Sequence, residues 1–279
     1  MTFKELQDFI KNKMRMISGI IPLLSVMLLG ILDSQGSSVY AQEVNSVSQL
    51  TTKDIEQWMQ DILNWGRWGE NDELGTLNLI TPEKRRQAAA LVTDGITVSL
   101  AHDFSKEISS NNPRPHQQSF NIGEQFASDS FQIGYHGWFY SHIDALCHMF
   151  HDEKMYNGFA KTLISSEGSQ RLGIQNMRNG IFTRGILVDI PLLKGVPYLE
   201  PGIAIMPEDL DAWEQRTGVQ VQPSDVLLVR TGRWGREQQL GSWNVREERA
   251  GLHASTVKWL RVRDVAALGC DVFLNQDSD

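Results

Sequence analysis

The chain has little cysteine, fewer basic than acidic residues and no long uninterrupted apolar run. Its 279 residues include 2 cysteines, Cys147 and Cys270, and no Cys-x-x-Cys pair, which excludes a multi-disulfide scaffold and a zinc finger. Lysine and arginine number 26 against 34 aspartate and glutamate, so the formal net charge is −8. Because nucleic-acid-binding domains carry a basic patch, this balance predicts no nucleic-acid partner.

The longest apolar stretch, residues 17–32, is shorter than the roughly 20 residues that a transmembrane helix needs. A basic segment precedes it and a small-residue cleavage site ending at Ala41 follows it, which is the pattern of a secretory signal peptide. We therefore predict a signal peptide at 1–41 and a mature domain at 42–279. This prediction implies that the mature protein is periplasmic or secreted. It also implies that no stable membrane anchor remains after cleavage. A retained anchor is the alternative.

Segments with strand and helix patterns alternate along the mature chain, which predicts an α/β fold. Residues 64–80 are rich in tryptophan and glycine and predict a packed loop, and the polar residues 105–130 predict a surface loop. The predicted helices lie at 54–62, from Thr81 to Asp94, at 207–216 and at 255–263. The predicted strands lie at 96–100, at 186–190, at 226–231 and from 265 onwards.

Histidines concentrate in one stretch, residues 136–158. His142 and Asp144 are two apart and share a face in a strand, whereas Asp144, His148 and His151 share a face in a helix. A strand leading into a helix would bring these side chains to one point. Imidazoles with a carboxylate are the ligand set of Zn²⁺ or Mn²⁺ in hydrolytic sites. The alternative is a surface cluster of histidines, or core histidines bonded to the backbone.

The stretch SHIDALCHMFHD is similar to the metal-binding signature of a cyclase family that includes bacterial kynurenine formamidases and isatin hydrolase. That signature is close to H-x-G-T-H-x-D-x-P-x-H. The resemblance extends from about Trp58 to Asp271, nearly the whole mature chain. It includes the segments NWGRWGENDELGTLNLITPEKRR, KMYNG, TRGILVDI, EPGIAIMPEDL, DVLLVRTGRWG and AGLHAS.

The resemblance implies a swivelling β/β/α fold, a homo-oligomer (dimer or tetramer) and one or two divalent metals. It also implies hydrolysis of an amide, lactam or ester bond in a small cyclic or aromatic molecule. His142, Asp144 and His148 match the metal ligands of the family, and Zn or Mn is the expected ion. His151 matches the histidine that acts as general base in formamidase-like members, and such a base is what amide hydrolysis requires.

Two departures from the family pattern bear on activity. Trp138 stands where the family has its first histidine, which predicts a single metal, and His136 is out of register to replace it. Family members continue for several dozen residues beyond Gly269-Cys270-Asp271 and there supply a further His and Glu, so we expect the domain to be C-terminally incomplete. A degenerate, non-catalytic member that binds metal or a small ligand, or an inactive truncated fragment, is therefore the alternative to an enzyme.

Several further residues have two interpretations from sequence. Trp68 and Trp138 are candidates for an aromatic substrate pocket, although aromatic residues more often belong to the core. Arg230 and Arg233 follow a predicted buried strand and either anchor a substrate carboxylate or form surface ion pairs. Asp271 is either a site residue at a strand end or part of a frayed tail.

Two other features stay open at the sequence level. His253 precedes a predicted helix and either lines the pocket or bonds to the backbone at the helix entry. Cys147 and Cys270 either form a disulfide in an oxidising compartment or stay free, since sequence does not give the distance between them.

Overall fold

The computed structural model describes residues 51–272. The predicted signal peptide at 1–41 and the chain end at 273–279 lie outside the described residues. The described helices are α1 (Thr52–Ile62), α2 (Pro82–Ala89), α3 (Ile190–Lys194), α4 (Pro207–Thr217), α5 (Arg233–Leu240) and α6 (Thr256–Val262). The described strands are β1 (Gln117–Ile122), β2 (Ala127–Gln132), β3 (Ile164–Ser165), β4 (Gly168–Ser169), β5 (Gly185–Asp189), β6 (Ala204–Ile205), β7 (Val226–Arg230), β8 (Gly251–Leu252) and β9 (Ala267–Cys270).

Local sequence signals explain where the predicted helices begin and end. Thr81 caps α2, because its side-chain oxygen accepts a hydrogen bond from the main-chain N–H of Lys84, and Pro82 supplies the first helical residue. Gly218 ends α4 in the left-handed conformation, at φ 69°. α6 starts where the sequence predicts, but the Ser255 side chain makes no capping bond to it.

The core is a three-stranded parallel sheet in the order β5-β7-β9. Ile186 and Val188 of β5 are buried, whereas Leu187 between them is 53% exposed, so this strand buries one face. Leu210 and Trp213 of α4 belong to the same apolar cluster as these strands. Parallel strands with connecting helices confirm the predicted α/β class.

Two predictions for residues 96–130 are wrong. Residues 96–100 form no strand, and Ile96 and Leu100 are 56% and 67% exposed, because no neighbouring strand pairs with this apolar segment. The predicted loop at 105–130 instead contains the antiparallel hairpin of β1 and β2, in which Gln117 pairs with Gln132. Both strands are mostly polar and every residue of each is exposed, so no apolar face distinguishes the hairpin from a loop in the sequence.

Residues 64–80 form a packed loop, as predicted, around the side chain of Asn157. Its amide oxygen accepts from the main-chain N–H of Gly66 at 2.7 Å, and its amide nitrogen donates to the carbonyls of Gly69 and Glu70 at 3.0 and 3.1 Å. The loop ends in a 3-10 helix, Gly75–Leu79. One polar side chain therefore fixes the loop that carries Trp68.

The two cysteines are free thiols in separate clusters, so the disulfide alternative is wrong. Cys147 packs in a small cluster with Ala145, Met155 and Leu172. Cys270 lies at the end of β9 against the main core, and burial raises the pKa of its thiol. Within residues 51–272 no helix has the length and hydropathy that a membrane span requires.

Candidate metal centre

The histidine-rich segment is irregular, which contradicts the predicted strand followed by a helix. Its regular parts are two short 3-10 helices, Leu146–His148 and Tyr156–Gly158. The backbone is held by buried side chains: Tyr140 donates its hydroxyl to the Ser105 carbonyl at 3.1 Å, and Ala145 and Cys147 are 3% and 4% exposed. The histidines therefore project from a segment whose backbone is anchored on its buried side.

Three histidines converge on the carboxylate of Asp144. Its Oδ1 lies 2.9 Å from His136 Nδ1, 3.0 Å from His148 Nδ1 and 3.8 Å from His142 Nε2. One ligand atom from each of His136, His142 and Asp144 lies within 4.8 Å of the others. His136 therefore belongs to the cluster, although it is out of register with the first histidine of the family signature.

The tautomer of His142 suits a metal ligand. Its Nδ1 lies 2.8 Å from the Tyr140 carbonyl oxygen, which can only accept, so Nδ1 carries the proton. The Nε2 lone pair is then free to bind an ion. Main-chain carbonyls commonly orient metal-binding histidines in this way.

The charge of Asp144 is set by opposing effects. Partial burial raises the pKa of its carboxyl, but the hydrogen bond with His148 and the neighbouring histidines lower it, and the net shift is downwards. An ionised carboxylate among imidazole nitrogens is a donor set that fits Zn²⁺ or Mn²⁺.

His151 lies apart from these contacts. Its Nε2 is 3.4 Å from Asp152 Oδ2, and its side chain is 62% exposed. Its main chain pairs with Lys154 at 2.8 and 2.9 Å. Its assignment as general base stays a prediction.

The two predicted substrate tryptophans have different surroundings. Trp138 lines a cavity of about 280 Å³ together with His136. Trp68 lies beneath the Arg67 guanidinium, whose carbon is 4.7 Å from the ring centroid. Trp68 is not among the residues that line this cavity. Substrate contact by either residue stays a prediction.

Asp271 and Arg233, each with two interpretations from sequence, meet at the turn between β7 and α5. The Asp271 carboxylate accepts from the main-chain N–H groups of Thr231, Gly232 and Arg233 at 2.8, 2.9 and 3.2 Å. It therefore stabilises the turn between β7 and α5 and is not part of a frayed tail. In the sequence, the position of Asp271 just after a predicted strand was the feature that indicated an ordered role for this residue.

The other open residues have structural roles. Arg230 forms an ion pair with Asp189 at 2.8 Å. His253 is 5% exposed, and its Nδ1 accepts from the main-chain N–H of Ser255 at 3.2 Å. Both observations favour the structural interpretation over a role in the pocket.

Comparisons with known proteins identify the family. The profile of the family described as "Putative cyclase" matches residues 98–275, more than half of the chain. A solved structure described as that of a novel cyclase is 29% identical to this chain, covers 76% of each chain and superposes with a TM-score of 0.69. A search of curated proteins found no match. The fold, the family profile and the histidine-rich segment agree, and the chain belongs to the Putative cyclase family.

Proposed function

We propose that this chain is a metal-dependent hydrolase that cleaves an amide, lactam or ester bond in a small cyclic or aromatic molecule. The convergence of His136, His142 and Asp144, with ligand atoms within 4.8 Å of one another, is the observation that supports it. Membership of a cyclase family supports an enzyme. The resemblance to kynurenine formamidases and isatin hydrolase supports the hydrolytic assignment.

Each residue of the cluster has a distinct part in this proposal. His142 and Asp144 hold Zn²⁺ or Mn²⁺, and His136 takes the place of the family histidine that is Trp138 here. His148 is a ligand by resemblance, and its 3.0 Å contact also orients Asp144. A divalent ion bound there supplies Lewis acidity toward a carbonyl and toward water.

In this proposal His151 is the general base of the hydrolysis. The resemblance supports this role, and its place three residues after His148 puts it on the same segment. Imidazole is the side chain most often used for proton transfer in enzymes. A His151→Ala chain is expected to keep its metal and lose its activity.

Metal content tests the proposal directly. Purified chain is expected to contain about one Zn or Mn per molecule by mass spectrometry, and His142→Ala is expected to contain none. His102→Ala is the matched control, because this exposed histidine contacts Trp234, 4.2 Å between ring centroids, outside the cluster. Full metal occupancy in His142→Ala would contradict the site.

Measurement of turnover distinguishes an enzyme from a non-catalytic member of the family. Trp138 in place of the family histidine favours a non-catalytic member that binds metal or a small ligand. The metal-loaded chain is expected to hydrolyse at least one compound in a panel of aryl amides, lactams and esters. Stoichiometric metal without turnover across the panel would favour the non-catalytic alternative.

Export and assembly are separate proposals. We propose that residues 1–41 direct export to the periplasm or the exterior, so N-terminal sequencing of the exported protein should begin at Gln42. We also propose a homo-oligomer, dimer or tetramer, as in similar proteins. Light scattering of the purified mature chain checks this, and a monomer would contradict it.

A further inference from the structure

The β1–β2 hairpin has one apolar face and one polar face. In an antiparallel pair of strands, residues opposite each other share a face, and successive pairs alternate between the two faces. Three opposite pairs share the first face: Gln118–Phe131, Phe120–Asp129 and Ile122–Ala127. The pairs on the other face are polar on both strands: Gln117–Gln132, Ser119–Ser130 and Asn121–Ser128. We call the first face the apolar hairpin face, after Phe120, Ile122 and Phe131.

The apolar hairpin face is exposed to solvent in the single chain. Phe120, Ile122 and Phe131 are 62%, 80% and 67% exposed. At the base of the hairpin the face continues to Phe104, because Phe131 and Phe104 lie 6.0 and 5.2 Å from His116 between ring centroids. A two-stranded sheet is marginally stable by itself in water, and soluble chains rarely leave such an apolar surface uncovered. The face therefore requires a partner that covers it.

The size of the apolar hairpin face fits a contact between two copies of this chain. Its four large side chains together expose roughly 500 Å², since an aromatic side chain has about 150–250 Å² of surface and all four are more than half exposed. A two-fold contact uses the same surface on both copies. These side chains alone would then bury roughly 1,000 Å² in total, which is about the area that a specific protein–protein interface needs.

The charge of the hairpin favours a second copy over a membrane surface. Residues 117–132 include Glu124 and Asp129 and no lysine or arginine. Anionic lipid headgroups attract basic segments, so they do not attract this acidic hairpin. Asp129 is the one charged residue on the apolar hairpin face, and its Oδ2 accepts a hydrogen bond from the Gln118 amide at 2.7 Å. A symmetric contact between two copies therefore brings few charges together.

We propose that two copies of this chain associate through the apolar hairpin face, related by a two-fold axis. Each copy buries this face against the same face of the other copy, and the polar face of each hairpin stays in solvent. This inference rests on the proposed homo-oligomer and names the surface through which its copies meet. It does not depend on the metal cluster or on hydrolysis.

Two adjacent substitutions on opposite faces of β1 test the proposal. Ile122→Asp adds a carboxylate to the apolar hairpin face, and Asn121→Asp adds the same charge to the polar face. Both positions are exposed, so neither substitution removes a buried contact within one chain, and circular dichroism confirms that both variants fold. Sedimentation velocity of the purified chain over a range of concentrations measures the dissociation constant of the dimer. Ile122→Asp is expected to raise this constant at least about tenfold, and Asn121→Asp to change it less than about twofold.

Hydrogen exchange gives an independent measurement of the same contact. Amides of residues 117–132 are expected to exchange more slowly above the dissociation constant than below it, because the contact stabilises their strands. In Ile122→Asp this dependence on concentration is expected to disappear. Slower exchange confined to another segment would locate the contact there and overturn the proposal.

The remaining outcomes are also decisive. A wild-type chain that stays monomeric refutes both the homo-oligomer and this interface, whereas an oligomer equally stable in Ile122→Asp refutes the interface alone. A tetramer that Ile122→Asp converts to dimers supports the interface. Equal weakening in Asn121→Asp would show that added charge disrupts the contact and would overturn the proposal. A monomer that binds phosphatidylcholine vesicles, and loses this binding in Ile122→Asp, would replace the second copy with a lipid surface.

Discussion

The guanidinium of Arg233 donates a hydrogen bond to the main-chain carbonyl of Trp138. Arg233 begins α5 and its side chain is 2% exposed, whereas Trp138 lies between His136 and His142 on the metal-binding segment. Burial lowers the pKa of Arg233, and the nearby carboxylates of Glu237 and Asp271 oppose that shift. This contact connects the parallel sheet, through its β7–α5 turn, to the backbone that carries the metal ligands.

Arg233→Leu is expected to destabilise the fold by about 3 kcal/mol, because it leaves Glu237 and the Trp138 carbonyl without their buried cation. Urea denaturation followed by tryptophan fluorescence measures this loss. Arg236→Leu is the control on the same helix, since its partner Glu200 is 57% exposed and such a pair contributes at most about 1 kcal/mol. Equal losses in the two variants would contradict a special role for Arg233.

Gly232→Ala is expected to destabilise the fold far more than Gly218→Ala. Both glycines are left-handed, at φ 83° and 69°, which costs an alanine about 1–2 kcal/mol. A Cβ on Gly232 would also lie 2.8 Å from the Tyr198 Cα, whereas one on Gly218 would meet nothing within 4 Å. Overpacking adds about 1–3 kcal/mol to the first substitution. Similar melting temperatures for both variants would show that a Cβ at position 232 does not clash with Tyr198.

Asp264 is expected to contribute pH-dependent stability. The hydrogen bond from Arg67 holds the pKa of its carboxyl below the ordinary value, against a smaller effect of burial. The unfolded chain therefore takes up the proton at higher pH than the folded chain does. The contribution is fully present above the unfolded pKa, roughly 3.9, and is lost as pH falls through the lower folded pKa.

The comparison of wild type with Asp264→Asn measures this contribution. Their difference in free energy of unfolding is expected to be constant from pH 7 to about 5 and to shrink below about 4. Asparagine also tolerates the positive φ of this position, 49°. If the difference in free energy of unfolding grew on acidification, the pKa of Asp264 would be raised by folding and not lowered.

His148→Ala is expected to weaken metal binding about 10–100-fold without abolishing it, because its Nδ1 contacts Asp144 at 3.0 Å and orients that carboxylate. Competition with a chelating dye measures the affinity, with His142→Ala as the non-binding reference. Complete loss of binding in His148→Ala would instead make His148 an obligatory ligand, as the family resemblance implies.

Sequence patterns predicted helices α1, α2, α4 and α6 and the three strands of the parallel sheet, but not helices α3 and α5. Thr81-Pro82 and Gly218 specify helix ends through their own backbone preferences, and the apolar run at Val226–Arg230 has the composition of a buried strand. These signals are local, so they need no knowledge of the rest of the chain. Residues 96–100 alternate apolar and hydroxyl side chains, which also predicts a strand, yet they form none, because a strand requires a partner that sequence does not show.

The candidate site overlaps the predicted residues only in part, since the possible metal group is His136, His142 and Asp144. The family signature identified His142, Asp144 and His148, and the structure brings all three together. The spacing of the family signature left out His136, and the structure places its Nδ1 2.9 Å from Asp144 Oδ1. Sequence spacing does not give this contact, because the segment is mostly irregular and the path of its backbone is set by packing.

The sequence by itself determined the α/β class, the family and the concentration of histidines around Asp144, because these depend on composition, local periodicity and a short motif. Only the tertiary structure decided which side chains meet. The bond from Arg233 to Trp138 spans 95 residues, and the binding of Asp271 to the β7–α5 turn spans about 40. Such contacts depend on how distant segments pack together, which no local pattern specifies.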